Sequence, residues 1–523
     1  MLWSIVRRTL RLGFFRGRFE RASEALALLV ALLWALHPLH TETVQYVTQR
    51  TELLMGLFYL ATLYASLRYF QASGASRRRG WLLLAVVACA AGMASKEVMV
   101  TAPVLVLLYE RTFLAGSLRA ALRRSAPLHV GLFATWLLLF VLNHESPRSD
   151  SAGFHFDVPA WVWWSTQAKV LWMYLKLAFW PWPLAIHYGT PYLDTFWKAL
   201  PWVVPAGLLG LGGLVLYARG TAAGYVAAWA LAILSPTLVV PIVTEVAAER
   251  RMYLPLAGIV ALVVVGGYAL CAQLAQRRAA TAGRDGPASA RPLLVVAGCS
   301  LAIAVALAWT SAHRLTAYRT ALGLWRDTVA TQPQSSFAQS NLGNELLNTG
   351  HPEEAIGHLE RALQLPHFNE FNIRYALGTA LALSGRPAEG VEQLEASLNL
   401  RPDVAQTHGN LAQALLLLGR REEALVHFAE SMRLDPHLPT GLLEYGATLL
   451  ALERPGEAIA PLQRLAELRP DSLEARGHLG GAYASVGRLT EAIAEFHVAL
   501  QLAPPAGPAP AGLHRLPGHP PIS

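Results

Sequence analysis

From its first residues to about position 310 the chain alternates between long apolar runs and short bends that are basic or rich in polar side chains. The runs centre on residues 25–39, 53–68, 81–95, 98–109, 127–143, 200–217, 223–242, 254–273 and 292–309. A helix needs ~20 residues to span hydrocarbon, and each run approaches that once its polar ends are included. The pattern therefore predicts about nine crossings. Residues 161–182 are apolar enough to be a tenth, but their six Trp with Lys169 and Lys176 read as an interfacial or re-entrant helix in the aromatic belt. With nine crossings, the Arg-rich segments Arg7 to Arg21, Arg77 to Arg79, Arg111 to Arg124 and Arg277 to Arg291 all share one side, which the positive-inside rule makes cytoplasmic. The N-terminus is then inside, and everything from about residue 310 outside.

Beyond residue 343 the period changes. Gly343, Gly378, Ala412, Gly446 and Gly480 recur at an interval of 35 and then 34 residues. Gly390, Ala424, Ala458 and Ala492 keep the same interval, as do Leu394, Phe428, Leu462 and Phe496, and Pro402, Pro436, Pro470 and Pro504. A 34-residue pair of helices with small residues at the close contacts, a large apolar plug and a closing proline is the tetratricopeptide repeat. Five repeats are complete, and Trp325 with Pro333 fits the second helix of a partial one. Such units stack into a superhelix with a concave groove, because no single helix pair buries its apolar face alone. Asn341, Asn344, Tyr375, Asn410 and Gln413 fall on the inner helices, where they either read a peptide or form an ordinary solvated face. The expected fold is thus all-α: a polytopic membrane domain over 1–310, a tetratricopeptide-repeat superhelix over 311–504, and a disordered Pro/Gly-rich tail over 505–523.

Composition supports the division. A chain that is 54% hydrophobic and 15% charged suits a membrane protein with a soluble attachment. The net charge of +8 conceals 29 basic against 13 acidic residues in 1–320 and 13 against 22 in 321–504. The basic excess belongs to membrane loops and points to anionic lipid headgroups. No basic stripe or aromatic-basic platform marks the soluble part, so nucleic acid is not an expected partner. Cys89, Cys271 and Cys299 all lie in apolar runs and read as packing residues. The N-terminus is basic and amphipathic and lacks a signal peptide's apolar core and cleavage site, which leaves targeting to the membrane helices.

Candidate chemistry concentrates in the bend H-P-L-H-T-E-T-V-Q-Y-V-T-Q-R-T-E-L-L, residues 37–54, where two His, two Glu, an Arg and a Tyr lie at a membrane face. Charge there is costly unless it is used. The predicted topology brings this bend to the same outer face as Ser95-Lys96-Glu97 and the loop Thr244 to Tyr253, alongside the loop Asn143 to Trp161. Arg50, Lys96, Arg250 and Arg251 are then gathered with Glu42, Glu52, Glu97, Glu245 and Glu249. A lipid-linked sugar phosphate calls for that mixture, since cations neutralise the departing phosphate and a carboxylate accepts the proton of an attacking hydroxyl. The alternative for each residue is a headgroup anchor or an intramembrane ion pair. His37 and His40, at i and i+3, share a helical face but lack a third metal ligand at diagnostic spacing. Hydrogen bonding at the helix end or a substrate contact is the reading for both.

The bend resembles the H-P-x-H-T-E-A-V...G-R-A-D/E-L-L signature of the transmembrane and tetratricopeptide-repeat O-mannosyltransferases, a branch of the polyprenyl-phosphate-sugar-dependent glycosyltransferases. Ser95-Lys96-Glu97 and A-E-R-R-M-Y-L-P at 248–255 match two further blocks, so the resemblance runs over about residues 1–504. It implies a polyprenyl-phosphate sugar donor, with mannose as the sugar, and a Ser or Thr acceptor on a protein. No metal and no cofactor beyond that donor are implied. It marks His37, His40, Arg50, Lys96, Arg250, Arg251 and Tyr253 as candidate substrate contacts and Glu42, Glu97 and Glu249 as weak candidates for a catalytic carboxylate. The family's acidic pair, typically Asp-Asp, belongs to a large outer loop after the first membrane helix. No Asp-Asp, Glu-Asp or Asp-Glu pair occurs in residues 1–320, and residues 1–12 resemble the cytoplasmic end of the family's second helix. Either the start is misplaced or deleted, or the usual base is lost, which leaves the enzyme assignment open.

Two functions compete on these residues. One is a membrane glycosyltransferase whose repeats present a protein acceptor; the other is a membrane-anchored, non-catalytic repeat scaffold for protein–protein interaction. Membrane lipids, a lipid-linked sugar and a protein or peptide are the expected partners. The expected setting is a bacterial inner membrane, with the repeats on the periplasmic side.

Overall fold

The computed structural model describes residues 1–45, 50–145, 153, 158–242, 245–281, 291–366, 369–439 and 441–502. The tail 505–523, residues 46–49 of the signature bend, most of the loop 146–157 and Thr244 lie outside the described residues. Regular secondary structure among the described residues is helical throughout. The chain divides into two compact units, Met1–Ala338 and Gln339–Ser523. Where composition placed a boundary near residue 310, the helix Ala321–Thr331 is counted with the first unit.

Among the described residues of the first unit, seven helices are long and apolar enough to cross a membrane: Arg50–Gln71, Ala75–Ser95, Glu97–Ala115, Phe196–Ala218, Ala222–Val239, Glu249–Arg278 and Arg291–Ala317. Two bent helix pairs are also long and apolar enough when each is taken together, as a broken span or a re-entrant loop. Ser23–Leu36 continues into Pro38–Gln45 through a 54° bend, and Leu118–Arg124 meets the following helix at 96°. The first bend has a local cause. Pro38 cannot donate to the preceding turn, and His37, in extended backbone, caps the new one by accepting from the Leu39 amide at its Nδ1, 3.3 Å away. The Trp-rich segment forms the helix Ala160–Phe179, which is not among the candidate spans. Faces turned away from the bundle stay apolar: Leu208, Leu211 and Leu214 on Phe196–Ala218 are each more than half exposed, as side chains facing lipid tails would be. Inside, Leu26, Val30, Tyr59, Met99, Leu105 and Tyr109 are buried in one continuous core.

The second unit is a row of paired helices: Ser336–Asn348 with Pro352–Gln364, Glu370–Leu383 with Pro387–Leu400, Ala405–Leu417 with Arg421–Leu434, Leu442–Ala451 with Pro455–Leu468, and Leu473–Ser485 with Leu489–Leu502. The periodic small residues are small because their partners are close. A Cβ added at Gly343 would lie 2.5 Å from Leu359, one at Gly446 2.3 Å from Leu462, and one at Gly480 2.8 Å from Phe496. Four of the turns within pairs use a glycine at positive φ, at Gly350, Gly385, Gly419 and Gly487; the fourth pair puts Glu453 there, with φ 57°.

Candidate functional site

The break after Leu36 places His37, His40 and Glu42 on a short, steeply bent segment at one end of the membrane bundle. A second break, ahead of the 3-10 turn Glu249–Met252, places Glu249, Arg250 and Arg251 against it. Tyr253 joins the two. Its ring lies 4.9 Å from that of His40 and 5.1 Å from that of Trp34, and its carbonyl accepts from Trp34 Nε1 at 2.8 Å. On its other side a Cβ at Gly56 would meet the Tyr253 ring at 2.4 Å, so only glycine admits the ring there. One turn before Gly56 on the same helix, buried Glu52 pairs with Lys96, which sits in extended backbone between Ala75–Ser95 and the turn Glu97–Thr101. The bend, the Lys96 break and the 249–253 turn, hundreds of residues apart in part, are therefore contiguous.

Two arginine–glutamate assemblies organise this end. In the first, Arg250 Nη1 donates to Glu42 Oε1 at 2.6 Å, its backbone amide donates to Glu42 Oε2 at 3.2 Å, and its Nη2 pairs with Glu245. Arg251 donates to the carbonyls of Glu245 at 2.6 Å and Val246 at 3.1 Å, closing the loop back on itself. In the second, Glu249 Oε1 accepts from the Ala185 amide at 2.8 Å and the Tyr188 hydroxyl at 2.7 Å, while Oε2 lies 2.9 Å from Arg314 Nη2. Burial, and then the charge of Glu249, hold the Tyr188 hydroxyl well above its ordinary pKa, so it stays a donor. The Trp-rich helix braces both assemblies: Gln167 donates to Val246 O, Tyr174 accepts from the Ala248 amide, and His37 Nε2 lies 3.2 Å from Ala178 O.

Of the residues marked in the sequence, His37, His40, Glu42, Glu249, Arg250, Arg251 and Tyr253 come together here, and Lys96 is held by Glu52 beside them. Glu42 and Glu249 are buried and locked to arginines, whereas Glu97 is half-buried. Arg50 is exposed and makes no ion pair or hydrogen bond among the described residues. Among the described residues no three His, Cys, Asp or Glu side chains are placed to hold a metal ion. In the repeat unit Asn410 is already occupied, donating to Tyr375 and Thr379 at 3.1 and 2.9 Å, while Asn344 is exposed and Asn341 and Gln413 half-buried. Sequence reading missed Arg314, Tyr188 and Trp34. Arg314 was detectable as a charge in the last turn of an apolar helix; Tyr188 and Trp34 carried no signal. It also missed a separate buried cluster, in which Glu110 accepts from Ser125 at 2.7 Å and pairs with His129 at 2.8 Å.

Comparison with known proteins bears on both units. Residues 16–144 match the sequence family described as dolichyl-phosphate-mannose-protein mannosyltransferase, and residues 375–439 and 446–507 match the tetratricopeptide repeat. The membrane part is similar to protein mannosyltransferases. Among curated relatives, protein O-mannosyl-transferase TMTC4 of Homo sapiens is 37% identical over 89 residues, 16% of this chain and 12% of the relative. Protein O-mannosyl-transferase Tmtc3 of Drosophila melanogaster is 34% identical over 125 residues, 23% of this chain and 13% of the relative. The matched segments thus span about an eighth of those proteins. Among solved structures, YrrB, described as a tetratricopeptide-repeat protein with an unusual peptide-binding site, is 18% identical with a TM-score of 0.30, covering 35% of this chain and 93% of YrrB. MamA is 20% identical with a TM-score of 0.28, covering 31% and 94%.

Proposed function

We propose that the protein is a membrane glycosyltransferase that moves mannose from a polyprenyl phosphate to a Ser or Thr hydroxyl, with the repeats binding the protein acceptor or a partner. The observation that carries this reading is the meeting of His37–Glu42, Lys96 and Glu249–Tyr253 at one end of the bundle, in a chain whose residues 16–144 match a mannosyltransferase family. Three widely spaced polar blocks could each have been a separate headgroup anchor; their convergence builds one dense site of mixed charge where a lipid phosphate and a hydroxyl can meet. The membrane is read as a bacterial inner membrane, and the positive-inside pattern supports a site on its periplasmic face with the N-terminus in the cytoplasm. His37, His40 and Tyr253 line it, and Arg50 is the signature cation whose charge is left uncommitted among the described residues. Of the three candidate carboxylates Glu42 and Glu249 are bound to arginines and Glu97 is half-buried, and no base is assigned.

One observation favours the scaffold instead: the carboxylates of the site serve as counterions of its cations. Purified protein given radiolabelled polyprenyl-phosphate mannose and a Ser/Thr-rich peptide decides between them. Saturable lipid binding and label appearing on the peptide are expected. Peptide binding with neither would leave the scaffold.

A further inference from the structure

Arg314 is buried at 9% exposure near the end of the helix Arg291–Ala317, and its guanidinium is only partly used. Ser311, Arg314 and Tyr318, at i, i+3 and i+7, share one face. That helix packs against the segments Pro38–His40 and Thr41–Gln45, and Ser311 Oγ fixes the contact by donating to Leu36 O at 2.8 Å. One turn further on, Arg314 Nη2 lies 2.9 Å from Glu249 Oε2 and donates to the Tyr318 hydroxyl at 3.3 Å. Its Nε and Nη1 are buried without an acceptor, and among the described residues no other arginine has two such nitrogens. The hydroxyl of Thr43, in the segment this helix packs on, is also buried and unpartnered. Native interiors rarely leave charged donors in that condition, so the arrangement calls for another acceptor, and an anionic one.

Apart from exposed Arg50, whose charge is also uncommitted among the described residues, the other cations of the site compare unfavourably. Arg250 is shared between Glu42 and Glu245, Arg251 is spent on backbone carbonyls, and Lys96 is paired with Glu52. Ala185 N and Tyr188 already donate to Glu249 Oε1, while Oε2, 2.9 Å from Arg314 Nη2, has no hydrogen bond of its own. We propose that Arg314 is a phosphate-binding residue of this site, its Nε–H and Nη1–H taking oxygens of the donor's phosphate; this rests on the glycosyltransferase reading above. A planar guanidinium can address two phosphate oxygens while keeping its contact with Glu249, which an ammonium cannot do.

The test must separate phosphate binding from mere pairing with Glu249. Full-length protein is purified as wild type, Glu249→Gln, and the Glu249→Gln/Arg314→Gln double variant, which removes both partners and so leaves no orphaned carboxylate. Each is titrated with labelled polyprenyl-phosphate mannose, with phosphatidylglycerol and inorganic phosphate as competitors, and folding is followed by thermal melting. The double variant is expected to melt near Glu249→Gln and to bind the donor about tenfold more weakly than Glu249→Gln, a loss of 1.4 kcal/mol. Equal binding by these two variants would overturn the role of Arg314 and leave the glycosyltransferase reading standing. Absence of saturable donor binding by wild type would overturn both. Equally good displacement by phosphatidylglycerol would make this a general headgroup site and overturn the donor assignment, and displacement by inorganic phosphate at like concentration would do the same. Should the double variant not fold, Arg314→Lys carries the test, because it keeps the charge beside Glu249 but not the second pair of donors; unchanged binding would overturn the proposal.

Discussion

Arginine and glutamate are paired throughout this protein, yet the two units use the pair in opposite ways. In the membrane unit Arg250 meets Glu42 across 208 positions of sequence, both side chains are largely buried, and the pair holds two chain breaks together. In the repeat unit Arg386–Glu389, Arg420–Glu423, Arg454–Glu457 and Arg488–Glu491 recur at four of the five turns within pairs, three residues apart, on the surface. A buried pair is costly to desolvate and more costly to break, whereas a surface pair gives up little when water replaces the partner. The same two side chains therefore mark a site in one unit and decorate a repeat in the other.

The contrast is most sharply broken by substituting one arginine of each kind. Arg250→Ala leaves Glu42 buried without its counterion and is expected to destabilise the protein by about 3–5 kcal/mol. Arg420→Ala, the control, should leave the melting temperature unchanged; thermal denaturation of the detergent-solubilised protein reads both. If Arg250→Ala were as silent as the control, the buried assembly would have no structural weight.

The next largest effect lies in the repeats. Ala458 is fully buried at a helix contact, and Ala458→Phe should overfill it and lower stability by about 1–3 kcal/mol. The loss should be concentrated in neighbouring units, because repeat stability is a nearest-neighbour quantity. Urea denaturation of a fragment carrying residues 336–504 measures the loss, and hydrogen exchange locates it. Glu453→Gly in the same fragment should act in the other direction. Its positive φ is the conformation glycine supplies in the other four turns, so the substitution should add about 0.5–1 kcal/mol.

The smallest effect is a pH dependence confined to the repeats. His408 donates from Nε2 to Pro402 O at 3.0 Å, which obliges its Nδ1 to accept from His427 Nδ1–H, also at 3.0 Å. Burial, and then the neighbouring His408, lower the pKa of His427 below its usual 6.5. The folded fragment therefore binds fewer protons than the unfolded chain in that range. The contribution is fully present above the usual value and is lost as pH falls from there through the lower folded value. Denaturation midpoints should be flat above neutrality and decline below it, and His427→Gln should flatten the decline.

Much of this architecture was legible in the primary structure because its signals are local. Apolar runs report crossings directly, since hydrocarbon forbids unpaired backbone, and Arg50–Gln71 through Arg291–Ala317 fall where the runs do. The repeats were legible for a related reason: Gly343, Gly446 and Gly480 each face a large side chain of their own unit, so the constraint recurs wherever the unit recurs. A 54° bend at Pro38 and a left-handed Glu453 needed coordinates to be seen, though each obeys a local rule once found.

The site was legible only in part. His37, His40, Glu42 and Arg250 stood out because polar groups at a membrane face are costly, and a residue type alone announces that cost. Which partner each takes did not follow, because pairing depends on which helices the tertiary structure brings together. The chain alone therefore determined that charges would gather at one end of a helical bundle attached to five stacked repeats. Only the three-dimensional structure decided that Glu42 is bound to Arg250, that Glu249 belongs to Arg314 and Tyr188, and that Arg314 is left with two donors to offer. Hydrophobic spacing is written residue by residue along a helix, whereas the satisfaction of a buried charge is a property of the whole packed bundle.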